Sequence, residues 1–110
     1  MKRTLLVMAG ALFVASGVLG AQSALVQKGT ELYEAQGCPR CHQVAGKGSK
    51  LSVLDGVGSR LTADEMRQWL TDPDRMAATL PKKPVIIMKQ YALPDADLDA
   101  LVAYLQTLKQ

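Results

Sequence analysis

Apolar residues recur at helical spacing in three parts of the chain, which predicts three main helices. The first is predicted over residues 25–36, the second from residue 62 to Asp72-Pro73, and the third over about residues 95–109. On the first helix the residues of one face are Leu25, Gly29, Leu32, Tyr33 and Gln36. On the third they are Leu98, Leu101, Val102, Leu105 and Leu108.

The predicted helix ends carry recognisable stop and start signals. Gly37 suits the C-terminal end of the first helix. Thr62 and Glu65 match a capping box at the start of the second, and Leu61 and Met66 match the hydrophobic staple that often accompanies it. Local sequence and apolar spacing therefore agree on where these helices lie.

The segments between the helices lack helical spacing. Residues 43–60 are rich in glycine and serine and are predicted to be an irregular loop. Residues 74–93 contain Pro81, Pro84 and the β-branched run Val85-Ile86-Ile87, so they are predicted to be an extended strap over an apolar surface. The resulting fold class is all-α, with about three main helices and loops.

Residues 1–23 have the pattern of a secretory signal peptide, which leaves residues 24–110 as one domain of 87 residues. Lys2 and Arg3 form a positive start, an uncharged and mostly apolar run follows, and small residues favour cleavage near Ser23. The run is slightly short for a bilayer crossing, so a retained membrane anchor is the less favoured alternative. The expected location is the periplasm.

The net charge of +3 comes largely from this N-terminal segment. Without Lys2 and Arg3 the basic residues fall from 13 to 11, against 10 acidic ones. The remaining domain is close to neutral, so its composition predicts no nucleic-acid partner.

The strongest chemical signal is the run Cys38-Pro39-Arg40-Cys41-His42. This is a C-x-x-C-H motif, which is typical of covalent attachment of a c-type haem. Cys38 and Cys41 can form thioethers with the two vinyl groups of one porphyrin, and His42 is placed to bind the iron. The motif holds both cysteines and the single histidine of the chain.

Three other readings of the motif are weaker. A structural zinc site needs four ligands, and the chain has three residues of the required types. A thioredoxin-like pair needs a βαβ context, which the sequence does not show. A plain Cys38–Cys41 disulfide stays open as the simplest alternative.

With these residues in place, the chain resembles a small bacterial monohaem class I cytochrome c over essentially all of residues 24–110. Gly29 and Tyr33 resemble the glycine–aromatic pair of that family's first helix, and Leu101 and Tyr104 resemble the pair on its last helix. The resemblance implies a small cytochrome c fold around one covalent haem c. It also implies that the first and last helices cross closely at the glycine.

The resemblance implies that Met88 is the second axial ligand of the iron, because the family's axial methionine lies between an extended strap and the last helix. A thioether is a soft donor that suits haem iron. Met76 is the alternative ligand, and Met66 is expected in the core. Lys89 stands where the family often has proline.

A second departure concerns the partner of the histidine. The family commonly has a proline about a dozen residues after it, whose carbonyl accepts the imidazole N–H, and this chain has none between His42 and Pro73. A backbone carbonyl near residues 52–54 is expected to serve instead.

Other residues are candidates for contact with the haem or with a protein partner. Arg60, Trp69 and Tyr91 could donate hydrogen bonds to a haem propionate or pack on the ring. A lysine-rich haem edge could steer an acidic redox partner, and its lysines are Lys47, Lys50, Lys82, Lys83 and Lys89.

The sequence predicts an exported electron carrier and not an enzyme, because it shows no acid–base pair, nucleophile or phosphate loop. Two alternatives stay open: a ligand sensor or peroxidase-like protein with an open sixth position, and a dedicated cytochrome subunit of a periplasmic oxidoreductase. Because the domain is small and poor in aromatic residues, the haem-free protein is predicted to be largely disordered.

Overall fold

The computed structural model describes residue 10 and residues 16–110. The described residues form five α-helices, which are α1 (Ser16–Ala35), α2 (Val57–Arg60), α3 (Ala63–Thr71), α4 (Pro73–Ala78) and α5 (Asp95–Gln106). A short 3-10 helix, Cys38–Arg40, follows α1. The mostly helical architecture confirms the all-α fold class.

The loop predicted for residues 43–60 contains more regular structure than expected. It holds the short strands β1 (His42–Val44), β2 (Lys47–Gly48) and β3 (Ser52–Val53), followed by α2. β1 lies in the middle of this sheet, antiparallel to β2 and parallel to β3. Strands of two or three residues are too short to show an alternating pattern, which is why the sequence did not reveal them.

Helix α1 is longer than predicted, because its described part begins at Ser16 instead of residue 25. Residues 16–24 contain no proline, and the helix runs through them. The proposed cleavage position near Ser23 lies within this helix. Most of the predicted signal peptide, residues 1–9 and 11–15, lies outside the described residues.

The start of the second predicted helix is confirmed. Thr62 is the N-cap of α3, its side chain accepts a hydrogen bond from the Glu65 amide, and the Glu65 carboxylate accepts one from the Thr62 amide. This is the predicted capping box. Met66 is buried, and Leu61 packs against the core.

The prediction that residues 74–93 are extended is wrong for the first five of them. Asp72 ends α3 but also caps α4, by accepting a hydrogen bond from the Arg75 amide, and Pro73 occupies the first position of that helix. Proline is well tolerated there because the first amides of a helix have no helical partner. From residue 79 to residue 94 the chain has no regular helix or strand, as predicted.

Helix α5 begins at Asp95 as predicted but ends at Gln106, three residues early. The amides of Thr107 and Leu108 bond to carbonyls three residues back, which tightens the last turn and ends the α-helix. The predicted apolar face of α5 lies in the core, where Leu98, Leu101 and Val102 are buried.

Helices α1 and α5 cross closely at Gly29. A Cβ atom built on Gly29 would meet the Ala100 carbonyl oxygen and lie 2.7 Å from the Tyr104 Cβ atom. The rings of Tyr33 and Tyr104 pack beside this crossing, with centroids 5.3 Å apart. The close approach that the resemblance implied is therefore present.

We expect Gly29→Ala to destabilise the haem-loaded protein by roughly 1–3 kcal/mol, because the added methyl group meets the backbone of α5 and the helices must separate. Urea unfolding followed by circular dichroism measures this. Glu31→Ala, at an exposed position of the same helix, is the control and should change stability by less than about 0.5 kcal/mol. Equal stability of the two variants would contradict the close crossing.

Within the described part of the chain, we find no helix with the length and apolar character needed to cross a membrane.

Candidate functional site

The C-x-x-C-H run turns sharply away from α1. Gly37 has a φ of 75°, a left-handed conformation that favours glycine, and it ends the helix. Cys38 and Cys41 then lie at either end of one short turn, closed by the hydrogen bond from the Cys41 amide to the Cys38 carbonyl (3.2 Å). Both cysteines are free, Cys38 half-buried and Cys41 exposed. The two thiols therefore lie three residues apart on one turn.

A cavity of about 980 Å³ lies against this turn. Its wall is mostly apolar and is built by the C-x-x-C-H run, the residues around β3, helices α2, α3 and α5, and the strap that precedes α5. Pockets of roughly 300–1,000 Å³ are typical of prosthetic-group and ligand sites. The cavity brings together all the predicted haem-contacting residues, which are Cys38, Cys41, His42, Arg60, Trp69, Met88 and Tyr91.

His42 lies at the first position of β1 and faces a partly buried environment. Burial lowers its pKa, because desolvation disfavours the charged imidazolium, and the Ser52 backbone opposes this shift more weakly. His42 and Ser52 are paired in register between β1 and β3. The lowered pKa favours the neutral imidazole, which is the form that binds a metal.

The His42 Nδ1 atom is buried and has no hydrogen-bond partner. The Ser52 backbone is close enough to influence its pKa, but the geometry falls short of a hydrogen bond. A buried polar atom without a partner is costly, so Nδ1 is the atom of this side chain that most needs a hydrogen-bond or ligand partner. Ser52 lies within the range predicted to orient the histidine.

The three methionines beyond the predicted signal peptide occupy different environments. Met88 is half-buried, packs against the core and lines the cavity. Met76 is also half-buried but is not among the residues that line this cavity. Met66 is 2% exposed and belongs to the core. Of these three methionines, only Met88 lines the same cavity as His42.

The candidate propionate contacts all reach the cavity, from separate elements. Arg60, at the end of α2, is exposed, and its Nη1 atom donates to the Asp55 carbonyl (2.8 Å). Trp69 on α3 and Tyr91 on the strap are half-buried. Burial raises the pKa of Tyr91, and the neighbouring Cys38 adds to this effect. Both aromatic side chains therefore form part of the cavity wall.

Several wall residues were not identified from the sequence. Tyr33 was expected only at the helix crossing, but it also lines the cavity, and burial raises its pKa to about 12. Further wall residues are exposed apolar side chains at the cavity, namely Leu51, Val53, Leu80, Val85 and Ile86. In the sequence, the signal that could have identified Leu51 and Val53 as wall residues was their apolar character within a loop rich in glycine and serine.

The five lysines predicted to border the haem are all exposed, and none forms an ion pair within the described residues. Lys89 is the one of the five that lines the cavity. Its ammonium lies 4.8 Å from the centre of the Tyr91 ring, within the range of a cation–π interaction. Its charge also lowers the pKa of Cys38, whose pKa is raised overall by burial.

These residues fit a haem. The wall supplies a large apolar surface, an imidazole whose Nδ1 atom is buried and unpartnered, and two free thiols on one turn. The fold and the site thus define a small helical haem-binding protein. The chain belongs to the cytochrome c family, because the family model described as Cytochrome c matches residues 26–109.

Neither the comparison with curated proteins nor the comparison with solved structures gives a match. Membership of the family is nevertheless sufficient to state the cofactor and the general activity. The cofactor is covalently attached haem c, of which a small domain typically carries one, and the activity is haem-based electron transfer.

Proposed function

We propose that this protein is an exported one-electron carrier of the small bacterial monohaem type, with His42 and Met88 as the axial ligands of a haem c held by Cys38 and Cys41. The observation that carries the proposal is the cavity, which brings these four side chains to one largely apolar surface. The haem, when bound, supplies a one-electron Fe(III)/Fe(II) couple.

The protein's own residues provide attachment, orientation and exclusion of water. Cys38 and Cys41 would hold the haem to the turn between α1 and β1 through thioether bonds. The apolar wall keeps water from the ring, and Met/His ligation raises the reduction potential relative to other axial ligand sets. If His42 and Met88 both bind the iron, no position on it would be left for a substrate, which favours a carrier over an enzyme.

Arg60, Trp69 and Tyr91 are proposed to contact the haem propionates or to pack on the ring. Arg60 is the strongest of these candidates, because a guanidinium–carboxylate bond is charge-assisted. Its Nη1 atom is engaged with the Asp55 carbonyl, which holds the side chain at the end of α2 while the other guanidinium N–H groups stay available.

The proposed partner is an acidic redox protein that docks at the cavity mouth. Exposed apolar side chains such as Val85 and Ile86 line the cavity, and the five lysines predicted to border the haem have no ion-pair partners in the described part of the chain. Opposite charge would mainly increase the encounter rate. The proposed location is the periplasm, with a membrane attachment if residues 1–23 are retained.

The optical spectrum of the exported protein tests the proposed ligation. We expect a weak red band of a methionine–ferric bond in the oxidised protein, and no spectral shift when the reduced protein is exposed to carbon monoxide. The physical reason is that a six-coordinate iron leaves no free position. A carbon monoxide shift without the red band would contradict Met88 ligation and favour a sensor or peroxidase-like function.

A further inference from the structure

The strap segment, defined as residues 81–90, carries Met88 and has few polar contacts with the rest of the described structure. In the described structure none of its backbone or side-chain polar groups forms a hydrogen bond or an ion pair. Pro81 and Pro84 have no amide hydrogen to donate. The first hydrogen bond before the segment is Leu80 N–H to the Ala77 carbonyl (3.2 Å), within the turn that ends α4.

On its C-terminal side the strap segment is anchored by Tyr91. The Tyr91 amide donates to the carbonyl of Leu70 (2.8 Å), and Leu70 is a buried residue of α3. This bond lies three residues beyond Met88. Segments with few buried contacts and few hydrogen bonds open at the low end of a protein's local free energies. Opening of the strap segment therefore depends strongly on what fixes Tyr91.

Lys89 provides a second attachment at the same place. Its ammonium lies 4.8 Å from the Tyr91 ring centre, and the side chain has no competing carboxylate among the described ion pairs. The interaction links the residue directly after Met88 to the residue that anchors the strap segment. The Lys89–Tyr91 contact thus shortens the unattached part of the strap segment on the C-terminal side of Met88.

We propose that the Lys89 ammonium and the Tyr91 ring form a latch on the strap segment, and that these two residues are positioning residues for Met88. The latch sets how often Met88 leaves the iron and so controls access of small ligands to the sixth position. This inference rests on the proposed ligation by Met88. It assigns Lys89 a role beyond attraction of an acidic partner.

The test uses the haem-loaded protein and the variant Lys89→Gln. A cation–π contact at an exposed site corresponds to about a two- to fivefold change in an equilibrium constant. We expect the Tyr91 amide hydrogen, followed by NMR, to exchange about two- to fivefold faster. We expect imidazole, titrated against the oxidised protein through loss of the red band, to bind with an apparent affinity higher by about the same factor.

Two further variants separate the latch from a general loss of charge. Lys89→Arg keeps a cation over the ring and should restore both measurements to the wild-type values. Lys109→Gln removes the same charge at an exposed position of the C-terminal segment and should change neither. A Lys89→Gln/Tyr91→Leu double variant should show no more imidazole affinity than Tyr91→Leu alone, because the two residues act as one unit.

The possible failures are distinguishable. If the red band depends on Met88 but Lys89→Gln matches the wild type in both measurements, the latch is wrong and the proposed function stands. If the Tyr91 amide exchanges faster while imidazole affinity stays unchanged, the latch does not position Met88, which overturns the proposal. If Met88→Ala keeps the red band, the proposed ligation is wrong and the role of the latch at the iron is wrong with it.

Discussion

The double variant Cys38→Ala/Cys41→Ala should lack covalently bound haem and should not unfold cooperatively. A cavity of about 980 Å³ lies against these two residues. Without haem, the mostly apolar wall of this cavity would be exposed to water, which is unfavourable. A domain this small buries a limited apolar core and usually needs a further stabilising element. We therefore expect the haem-free chain to be largely disordered.

Three measurements check this prediction. Intact mass under denaturing conditions should show one covalent haem on the wild type and none on the double variant. Acidified organic solvent should extract any haem that the variant still binds through His42. Thermal unfolding followed by far-ultraviolet circular dichroism should show no cooperative transition for the variant.

The controls separate loss of attachment from loss of expression. Cys41→Ala alone keeps the Cys38 thioether and should retain covalent haem. Gln27→Ala/Glu31→Ala changes two exposed positions of α1 and should retain both haem and a cooperative transition. A haem-free double variant with a sharp melting transition would show that the polypeptide folds alone, contrary to our expectation.

Replacing Met88 by alanine should abolish the weak red band of the oxidised protein and make the reduced protein bind carbon monoxide. Met88 lines the cavity, and under the proposed ligation the loss of its thioether would open the sixth position of the iron. The reduction potential should fall by more than about 59 mV, which for one electron is more than a tenfold change in equilibrium constant. Protein-film or equilibrium redox titration measures the fall.

The other methionines are matched controls for this substitution. Met76→Ala should keep the red band and the potential, because Met76 is not among the residues that line the cavity. Met66→Ala should cost about 2–5 kcal/mol of stability, since Met66 is a fully buried core residue, but it should also keep the band. If Met76→Ala loses the band and Met88→Ala keeps it, Met76 and not Met88 is the ligand of the iron.

The two departures from the family pattern have structural counterparts in this chain. No proline follows His42 at the usual distance, and the register of β1 and β3 instead places Ser52 beside the imidazole. Lys89 follows Met88 where the family often has proline, and its side chain reaches the Tyr91 ring. In both cases the neighbouring residue is also close along the chain: Ser52 lies ten residues after His42, and Tyr91 lies two residues after Lys89.

Local sequence determined the elements whose signals lie within a few residues of one another. The capping box of Thr62 and Glu65 depends on atoms three residues apart, and the apolar face of α5 repeats within each turn. The C-x-x-C-H run likewise carries its chemistry in five consecutive residues. Such features can be predicted because their physical basis is complete within one segment.

Only the tertiary structure decided what surrounds that motif. Tyr33 becomes cavity wall because α1 crosses α5 at Gly29, and Leu51 and Val53 become wall because the small sheet folds their loop beside His42. These placements depend on packing between segments far apart along the chain, which no local pattern records. The sequence by itself thus determined the C-x-x-C-H motif and the main helices, whereas long-range packing decided the shape of the cavity and which side chains line it.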